Sequence, residues 1–257
     1  MPAGRPLTCR HCVMGGRRVQ AVRRLGVLGA LLSLGLGGLP AAAGPAVTPP
    51  AAISAYFFGD SLMAGTGASP RRPVMARIAA AHLGWAVEVD AWGGTGYTTS
   101  GRSPGYLDRL RRPGALAGRY DVVLLEGGTN DARHADRPQQ VRAAVEAVVD
   151  EVRRRQPQAQ LVLMGAYDPP PPGRVDPRRA VVDGVVAAVA VEHGLPFFSP
   201  LSGHWTAGRL PGFLHRDRLH PTTGGYGVMG ARLAGELSAL VRSGRISHKP
   251  QSASNTA

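Results

Sequence analysis

The feature of this sequence that most restricts its fold is a short apolar run, Asp121–Leu125, followed by a glycine-rich polar cluster. A near-continuous apolar run of this length is typical of a strand that is buried on both faces, as in a parallel sheet. Neighbouring parallel strands need long crossover connections, which are usually helices. The run therefore predicts an α/β domain, provided that helical segments separate it from further strands.

Such segments occur on both sides of the run, so strands and helices are predicted to alternate. Further strands are predicted at Ser54–Phe58, Ala86–Val89, Leu161–Met164 and Pro196–Phe198, and helices at Pro73–Leu83, Pro138–Gln156, Asp176–His193 and Gly224–Val241. This order predicts a mostly parallel, five-stranded sheet with helices on both faces. In sheets of this kind the chemistry gathers at the carboxyl ends of the strands.

The size and composition of the chain suit a single domain. Its 257 residues, of which 44% are hydrophobic, allow one sizeable core and exclude wholesale disorder. The two cysteines, Cys9 and Cys12, form an isolated C-x-x-C pair that is insufficient for a zinc site. Both precede the predicted mature chain, which is therefore expected to need no disulfide.

The first 43 residues have the three parts of a secretory signal: a basic region, the apolar run Leu25–Leu39 and a small-residue site ending at Ala43. We predict a signal peptide at 1–43, with an uncleaved anchor as the alternative, and secretion or cell-envelope location. Residues 44–52 are predicted to be a linker, residues 53–242 the folded domain, and residues 243–257 a flexible tail.

The chain is strongly basic, with a formal net charge of +13 that falls to +7 without residues 1–43. No aromatic platform or nucleic-acid-binding motif accompanies the arginines, so no nucleic acid partner is predicted. The remaining charge is compatible with association with an anionic cell envelope. The sequence gives no indication of an oligomeric state.

Four polar clusters follow predicted strands or precede the last helix, where the topology brings them to one edge of the sheet. They are Gly59-Asp60-Ser61-Leu62, the segment 90–99 with Gly93, Gly94 and Gly96, Gly127-Gly128-Thr129-Asn130-Asp131, and Asp217-Arg218-Leu219-His220-Pro221. In this order, the clusters resemble the motifs of the GDSL/SGNH hydrolases, and the resemblance covers residues 53–241. It implies a flavodoxin-like three-layer α/β/α sandwich and hydrolysis of esters or thioesters through an acyl-enzyme.

Ser61 is the candidate nucleophile, since a serine hydroxyl becomes reactive when a base removes its proton. His220 is the candidate base, and Asp217 is placed to orient its imidazole and to stabilise the charged form. His204 and His215 are the rivals to His220. Asp60 and Asp131 are expected to support the loops.

The resemblance also implies three donors to the oxyanion of the tetrahedral intermediate: the backbone N–H groups of Ser61 and Gly96 and the side-chain amide of Asn130. Gly94 is the alternative to Gly96. Trp92, Tyr97 and Trp205 are expected either to line a substrate pocket or to pack in the core.

The expected activity is hydrolysis of carboxylic esters with short acyl chains, such as acetyl groups on glycans or small esters, without cofactor or metal. Open alternatives on the same site are acyl transfer and lysophospholipase or thioesterase activity. A non-catalytic envelope-binding domain is another alternative, and a metal or nucleotide enzyme is a third class. A second motif, Gly101-Arg102-Ser103-Pro104-Gly105, matches G-x-S-x-G and offers Ser103 as a rival nucleophile.

Overall fold

The computed structural model describes residues 52–100, 103–171, 173–206 and 211–248. The predicted signal peptide at 1–43, linker residues 44–51 and tail residues 249–257 lie outside the described residues. Within the described ranges, no helix combines the length and the apolar character needed to cross a membrane.

The described residues form strands and helices in alternation, as predicted. The strands are β1 (Ser54–Gly59), β2 (Ala86–Ala91), β3 (Val122–Glu126), β4 (Gln160–Met164) and β5 (Phe197–Phe198). The helices are α1 (Ser61–Ala64), α2 (Met75–Leu83), α3 (Tyr106–Arg111), α4 (Pro138–Arg155), α5 (Arg178–Glu192) and α6 (Thr223–Arg242), with a 3₁₀ helix at Asn130–His134.

All five strands are parallel, in the order β2-β1-β3-β4-β5. This confirms the predicted flavodoxin-like sheet. The direction of chain progression reverses between β1 and β3, and in open α/β sheets a crevice for ligands forms at such a reversal. Ser61 follows β1 and Asn130 follows β3, so both candidate residues lie at this position.

The two faces of the sheet carry separate cores. Successive side chains of a strand point to opposite faces, so Phe57 packs in the core with α2 and α6, while Phe58 packs in the core with α3, α4 and α5. Helix α4 illustrates why the sequence forms these layers. Its residues Val141 and Val145 belong to one buried stripe, and Pro138 occupies its first turn, where no intrahelical N–H is needed.

The structure departs from the predictions in its short elements and its tail. Helices α1 and α3 and the 3₁₀ helix were not predicted, because pieces of four to six residues carry too little apolar periodicity. Part of the predicted flexible tail, within residues 243–248, contacts the domain. Ile246 is only 1% exposed, and Arg245 donates a hydrogen bond to the carbonyl of Gly194.

Candidate active site

The first polar cluster forms a tight turn between β1 and α1. Asp60 caps the helix, because its Oδ1 accepts a hydrogen bond from the Leu62 N–H at 2.8 Å. Ser61 is the first residue of α1, and its Oγ lies 2.9 Å from Nε2 of His220. Among the described residues, none accepts a hydrogen bond from the backbone N–H of Ser61, so this donor is available to a ligand.

His220 lies on a loop that is closed by an antiparallel bridge between Leu214 and Pro221. Its Nδ1 is 2.8 Å from Oδ2 of Asp217. The other carboxylate oxygen, Oδ1, accepts the backbone N–H groups of Leu219 and His220 at 2.9 and 3.0 Å. Serine, histidine and aspartate therefore form one series of hydrogen bonds, and the loop backbone fixes the carboxylate.

The ionisation of Asp217 is set by competing effects. Burial by itself raises its pKa, but hydrogen bonds from the His220 imidazole, from two backbone N–H groups and from His215 outweigh burial. They hold the pKa of Asp217 well below its usual range. The carboxylate therefore keeps its negative charge beside His220 at neutral and mildly acidic pH.

His215 places a second imidazole on the same carboxylate. Its Nδ1 lies 3.2 Å from Oδ2 of Asp217, and its side chain is about one-third exposed. Of the two rivals to His220, His215 thus contacts the aspartate instead of the serine. His204 is exposed, and no hydrogen bond within the described part of the chain joins its side chain to Ser61.

Two buried carboxyl groups lie directly beneath the nucleophile turn. Glu126, the last residue of β3, is fully buried, and its Oε2 accepts the Asp60 N–H at 3.0 Å. Burial, and then the nearby charge of Asp60, raise the pKa of Glu126 well above its ordinary value. Burial likewise raises the pKa of Asp60 to about 6. Sequence reasoning missed Glu126, although an acid at the end of a buried strand is a detectable signal.

The glycines of the second cluster are placed differently from the prediction. Gly96 is buried, and its N–H donates to the carbonyl of Thr99 at 2.8 Å. A Cβ at Gly96 would lie 2.4 Å from the carboxylate of Asp131, whereas a Cβ at Gly93 would lie 3.6 Å from Cβ of Ser61. The structure therefore brings Gly93 next to the candidate nucleophile and engages the Gly96 N–H elsewhere.

Asn130 links the nucleophile turn to the loop after β2. Its Nδ2 donates to Oδ2 of Asp60 at 2.8 Å and to the carbonyl of Thr95 at 2.9 Å, so both amide N–H groups have acceptors. The next residue, Asp131, accepts hydrogen bonds from backbone N–H groups of the same loop and from the Thr98 hydroxyl. Asp131 thus supports the loop, as the sequence predicted.

Arg109 of α3 is a buried cation that sequence reasoning missed. Its guanidinium donates to the carbonyl of Gly59, to the Thr95 hydroxyl, and to both the carbonyl and the carboxylate of Asp90. It also lies 4.1 Å from the centroid of the Phe58 ring. Through these contacts, Arg109 connects the ends of β1 and β2 to Thr95 in the loop that follows β2. Asp90, an acid at a strand end, was the available signal for a cationic partner.

The aromatic residues that were expected either to line a pocket or to pack in the core are mostly packing residues. Tyr97 and Trp205 are buried in the two cores, and Trp92 lies beside the guanidinium of Arg109. The rival nucleophile Ser103 lies in the loop before α3, and the described residues that precede it, 92–100, contain no strand of the kind that a nucleophile elbow needs. In the described ranges, there is no group of three or more His, Cys, Asp or Glu residues that could hold a metal ion.

Comparisons with known proteins agree with this fold and these motifs. No curated protein matches the chain, whereas 117 solved chains do. One is a lipase/acylhydrolase from Enterococcus faecalis, with 23% identity, a TM-score of 0.57, and coverage of 77% of this chain and 99% of that chain. Another is a family two carbohydrate esterase from Clostridium thermocellum in complex with cellohexaose, with 19% identity, a TM-score of 0.59, and coverage of 76% and 67%.

A third is a psychrotrophic esterase from Pseudoalteromonas sp., with 18% identity, a TM-score of 0.56, and coverage of 74% of this chain and 98% of that chain. At these identities the solved structures show a shared fold. The model of a protein family, the GDSL-like Lipase/Acylhydrolase family, matches residues 57–228. That match spans most of the described domain and includes all four polar clusters. The chain belongs to the GDSL-like lipase/acylhydrolase family.

Proposed function

We propose that this protein is a serine esterase that hydrolyses carboxylic esters through an acyl-enzyme on Ser61. The observation that carries this proposal is the series of hydrogen bonds from Ser61 Oγ to His220 Nε2 at 2.9 Å and from His220 Nδ1 to Asp217 Oδ2 at 2.8 Å. A nucleophile within reach of a base, with the base oriented by a third group, is the arrangement that acyl transfer requires.

In the proposed reaction, Ser61 Oγ attacks the ester carbonyl carbon while its proton passes to His220 Nε2. The negative charge of Asp217 stabilises the imidazolium that results. His220 then gives the proton to the departing alcohol, which leaves an acyl group on Ser61. Water, deprotonated by the same imidazole, then attacks the acyl-enzyme. The carboxylic acid is released, and the free serine is regenerated.

The tetrahedral intermediates of both steps need donors aimed at their oxyanion. We assign the Ser61 N–H to this role, since no described residue accepts it. The exposed turn at Gly93 and Gly94, where Gly94 has φ of 74°, is proposed as the second donor in place of Gly96. Asn130 is proposed as the third donor, which requires that one of its two present acceptors be exchanged for the oxyanion.

The proposed substrates are esters with short acyl chains, with acetylated glycans as the preferred class. Two observations support this choice. The signal-like N-terminal segment would deliver the enzyme to the cell envelope or the medium, where such glycans occur. One protein of similar fold is a carbohydrate esterase solved in complex with cellohexaose. Transfer of the acyl group to an alcohol instead of water is the alternative outcome on the same site.

The test is hydrolysis of p-nitrophenyl acetate, butyrate and octanoate by the full chain, beside the variants Ser61→Ala and Ser103→Ala. We expect activity that decreases with chain length, is lost in Ser61→Ala and is retained in Ser103→Ala. A fluorophosphonate probe should label the wild type at Ser61. A wild type that neither turns over any ester nor takes up the probe would refute the proposal and favour a binding domain.

A further inference from the structure

We propose that His215 is a positioning residue for the triad, which binds the Asp217 carboxylate beside His220 and thereby reduces the basicity of His220. This inference rests on the proposed function, because it takes His220 as the general base. It assigns a role in the reaction to a histidine outside the four polar clusters of the sequence.

The geometry places both imidazoles on one oxygen atom. Oδ2 of Asp217 lies 2.8 Å from Nδ1 of His220 and 3.2 Å from Nδ1 of His215. The other oxygen, Oδ1, is already occupied by the backbone N–H groups of Leu219 and His220. Both imidazoles therefore contact the same carboxylate oxygen.

The contact between His215 and the carboxylate is favourable when Nδ1 of His215 carries a proton. A neutral ring with its lone pair on Nδ1 would face a carboxylate oxygen at 3.2 Å, which is electrostatically unfavourable. The backbone N–H of Asp217, at 3.4 Å from the same nitrogen, is a longer and weaker alternative partner. The ionised state of Asp217 therefore favours the forms of His215 that donate from Nδ1, which are one neutral tautomer and the imidazolium.

The loop holds His215 in this position by its own backbone and by a glycine. The His215 N–H donates to the His220 carbonyl at 2.8 Å, so the two residues pair across the loop. A Cβ at Gly67 would lie 3.0 Å from Cβ of His220 and 3.1 Å from Cβ of His215. Gly67, with φ of 93°, thus allows the chain after α1 to pass close to both histidines. It has no side chain, so it adds no charge near the Asp217 carboxylate.

The other titratable groups around the carboxylate do not reproduce this effect. Tyr167, after β4, and Tyr226, on α6, are buried, and burial raises the pKa of both, so they stay neutral. Arg216 and Arg218 flank Asp217 in the sequence, and both are exposed. Among the described residues, two side-chain nitrogens form ion-pair contacts with the Asp217 carboxylate: Nδ1 of His220 at 2.8 Å and Nδ1 of His215 at 3.2 Å.

The consequence follows from the distribution of charge on Asp217. A second donor draws negative charge from Oδ2 and weakens the stabilisation of the His220 imidazolium. Removal of the His215 donor should therefore raise the pKa of His220 and move the acid limb of the activity profile to higher pH.

The experiment is an NMR titration of the imidazole Cε1–H groups in the full chain, with the His220 signal assigned from its loss in His220→Asn. We compare the wild type, His215→Phe, which has no donor, and His215→Gln, a donor that does not titrate. We expect His215→Phe to raise the His220 pKa by about half a unit or more, and His215→Gln to restore part of the difference. The control His82→Phe changes an exposed histidine on α2 and should leave the His220 titration unchanged.

A His220 titration that is the same in His215→Phe as in the wild type would overturn the inference, since a merely structural role lowers activity without moving this pKa. If His215→Phe does not fold, His215→Ala, which is smaller and also has no donor, provides the same comparison with the same required direction of shift. The titration needs no substrate. A pKa shift in a protein that hydrolyses no ester would therefore refute the proposed function alone, and an active protein without the shift would refute the role of His215 alone.

Discussion

Replacement of Glu126 by glutamine should change how the stability of the protein depends on pH. Glu126 is fully buried at the end of β3, its Oε1 has no partner among the described residues, and the Asp60 carboxyl group lies nearby. A glutamine at this position keeps the shape of the side chain, and its carbonyl oxygen still accepts the Asp60 N–H. The variant therefore removes a titratable group with little change in packing.

The magnitude follows from proton linkage. Burial, and then the charge of Asp60, raise the folded-state pKa of Glu126 well above the ordinary value of 4.5. Above pH 4.5 the unfolded chain releases this proton while the folded chain keeps it, so the folded state binds more protons and loses stability as the pH rises. The free energy of unfolding should fall by about 1.4 kcal/mol per pH unit for as long as the folded state keeps the proton that the unfolded chain has released.

Urea unfolding of the wild type, Glu126→Gln and Glu146→Gln between pH 4.5 and 8 measures this slope. Glu146 lies on the solvent side of α4, so Glu146→Gln should follow the wild type. Glu126→Gln should gain stability relative to the wild type as the pH rises. If the glutamine amide has no hydrogen-bond partner, the free energy of unfolding of Glu126→Gln is lower by about 1–3 kcal/mol at every pH. Its dependence on pH does not change. Parallel curves for the wild type and Glu126→Gln would mean that Glu126 is ionised in the folded protein and would refute the reasoning.

Four further substitutions test the contacts around Ser61. Arg109→Met should lower the free energy of unfolding by about 1–3 kcal/mol, measured in urea, because it leaves the buried carbonyls of Gly59 and Asp90 without this donor, while Arg112 still pairs with the Asp90 carboxylate. Gly96→Ala should lower the melting temperature, since its methyl group would lie 2.4 Å from a carboxylate oxygen, whereas Gly93→Ala should not, since its nearest contact is at 3.6 Å. Asn130→Ala should lower kcat for p-nitrophenyl acetate by on the order of 100-fold with little change in KM, as for the loss of one oxyanion donor.

The sheet was predictable from the sequence because its strands are buried on both faces. Strand β3 has no exposed residue, and its first four residues form a plain apolar run, so the predicted strand differs from the observed one by a single residue at each end. Helix α4 was predictable for a related reason, since it packs one regular stripe of valines on the sheet. Where the residues of an element are buried periodically or continuously, the pattern of apolar residues in the sequence indicates this burial directly.

Arg109 illustrates a contact that apolar patterns in the sequence did not predict. Helix α3 has only six residues, begins after a glycine without a side-chain cap, and buries an arginine between Tyr106 and Leu110. An arginine on the buried face interrupts the apolar pattern that identifies a helix, so both the helix and its contact with Asp90 were missed. The interaction depends on a pairing between two elements, and neither segment reveals it alone.

The same limit applies to the choice between glycines and between histidines. The motifs predicted which residue types would meet at the sheet edge, but the direction of a backbone N–H depends on the local turn, and this turn engages the Gly96 N–H with Thr99. In the last cluster, Arg218 adopts a left-handed φ of 59°, and its N–H donates to the carbonyl of His215 at 2.9 Å. This turn reverses the chain between His215 and His220, so both histidines reach Asp217 from positions that are two residues before it and three residues after it. Spacing alone assigns one histidine to the carboxylate, whereas the turn brings two histidines to it.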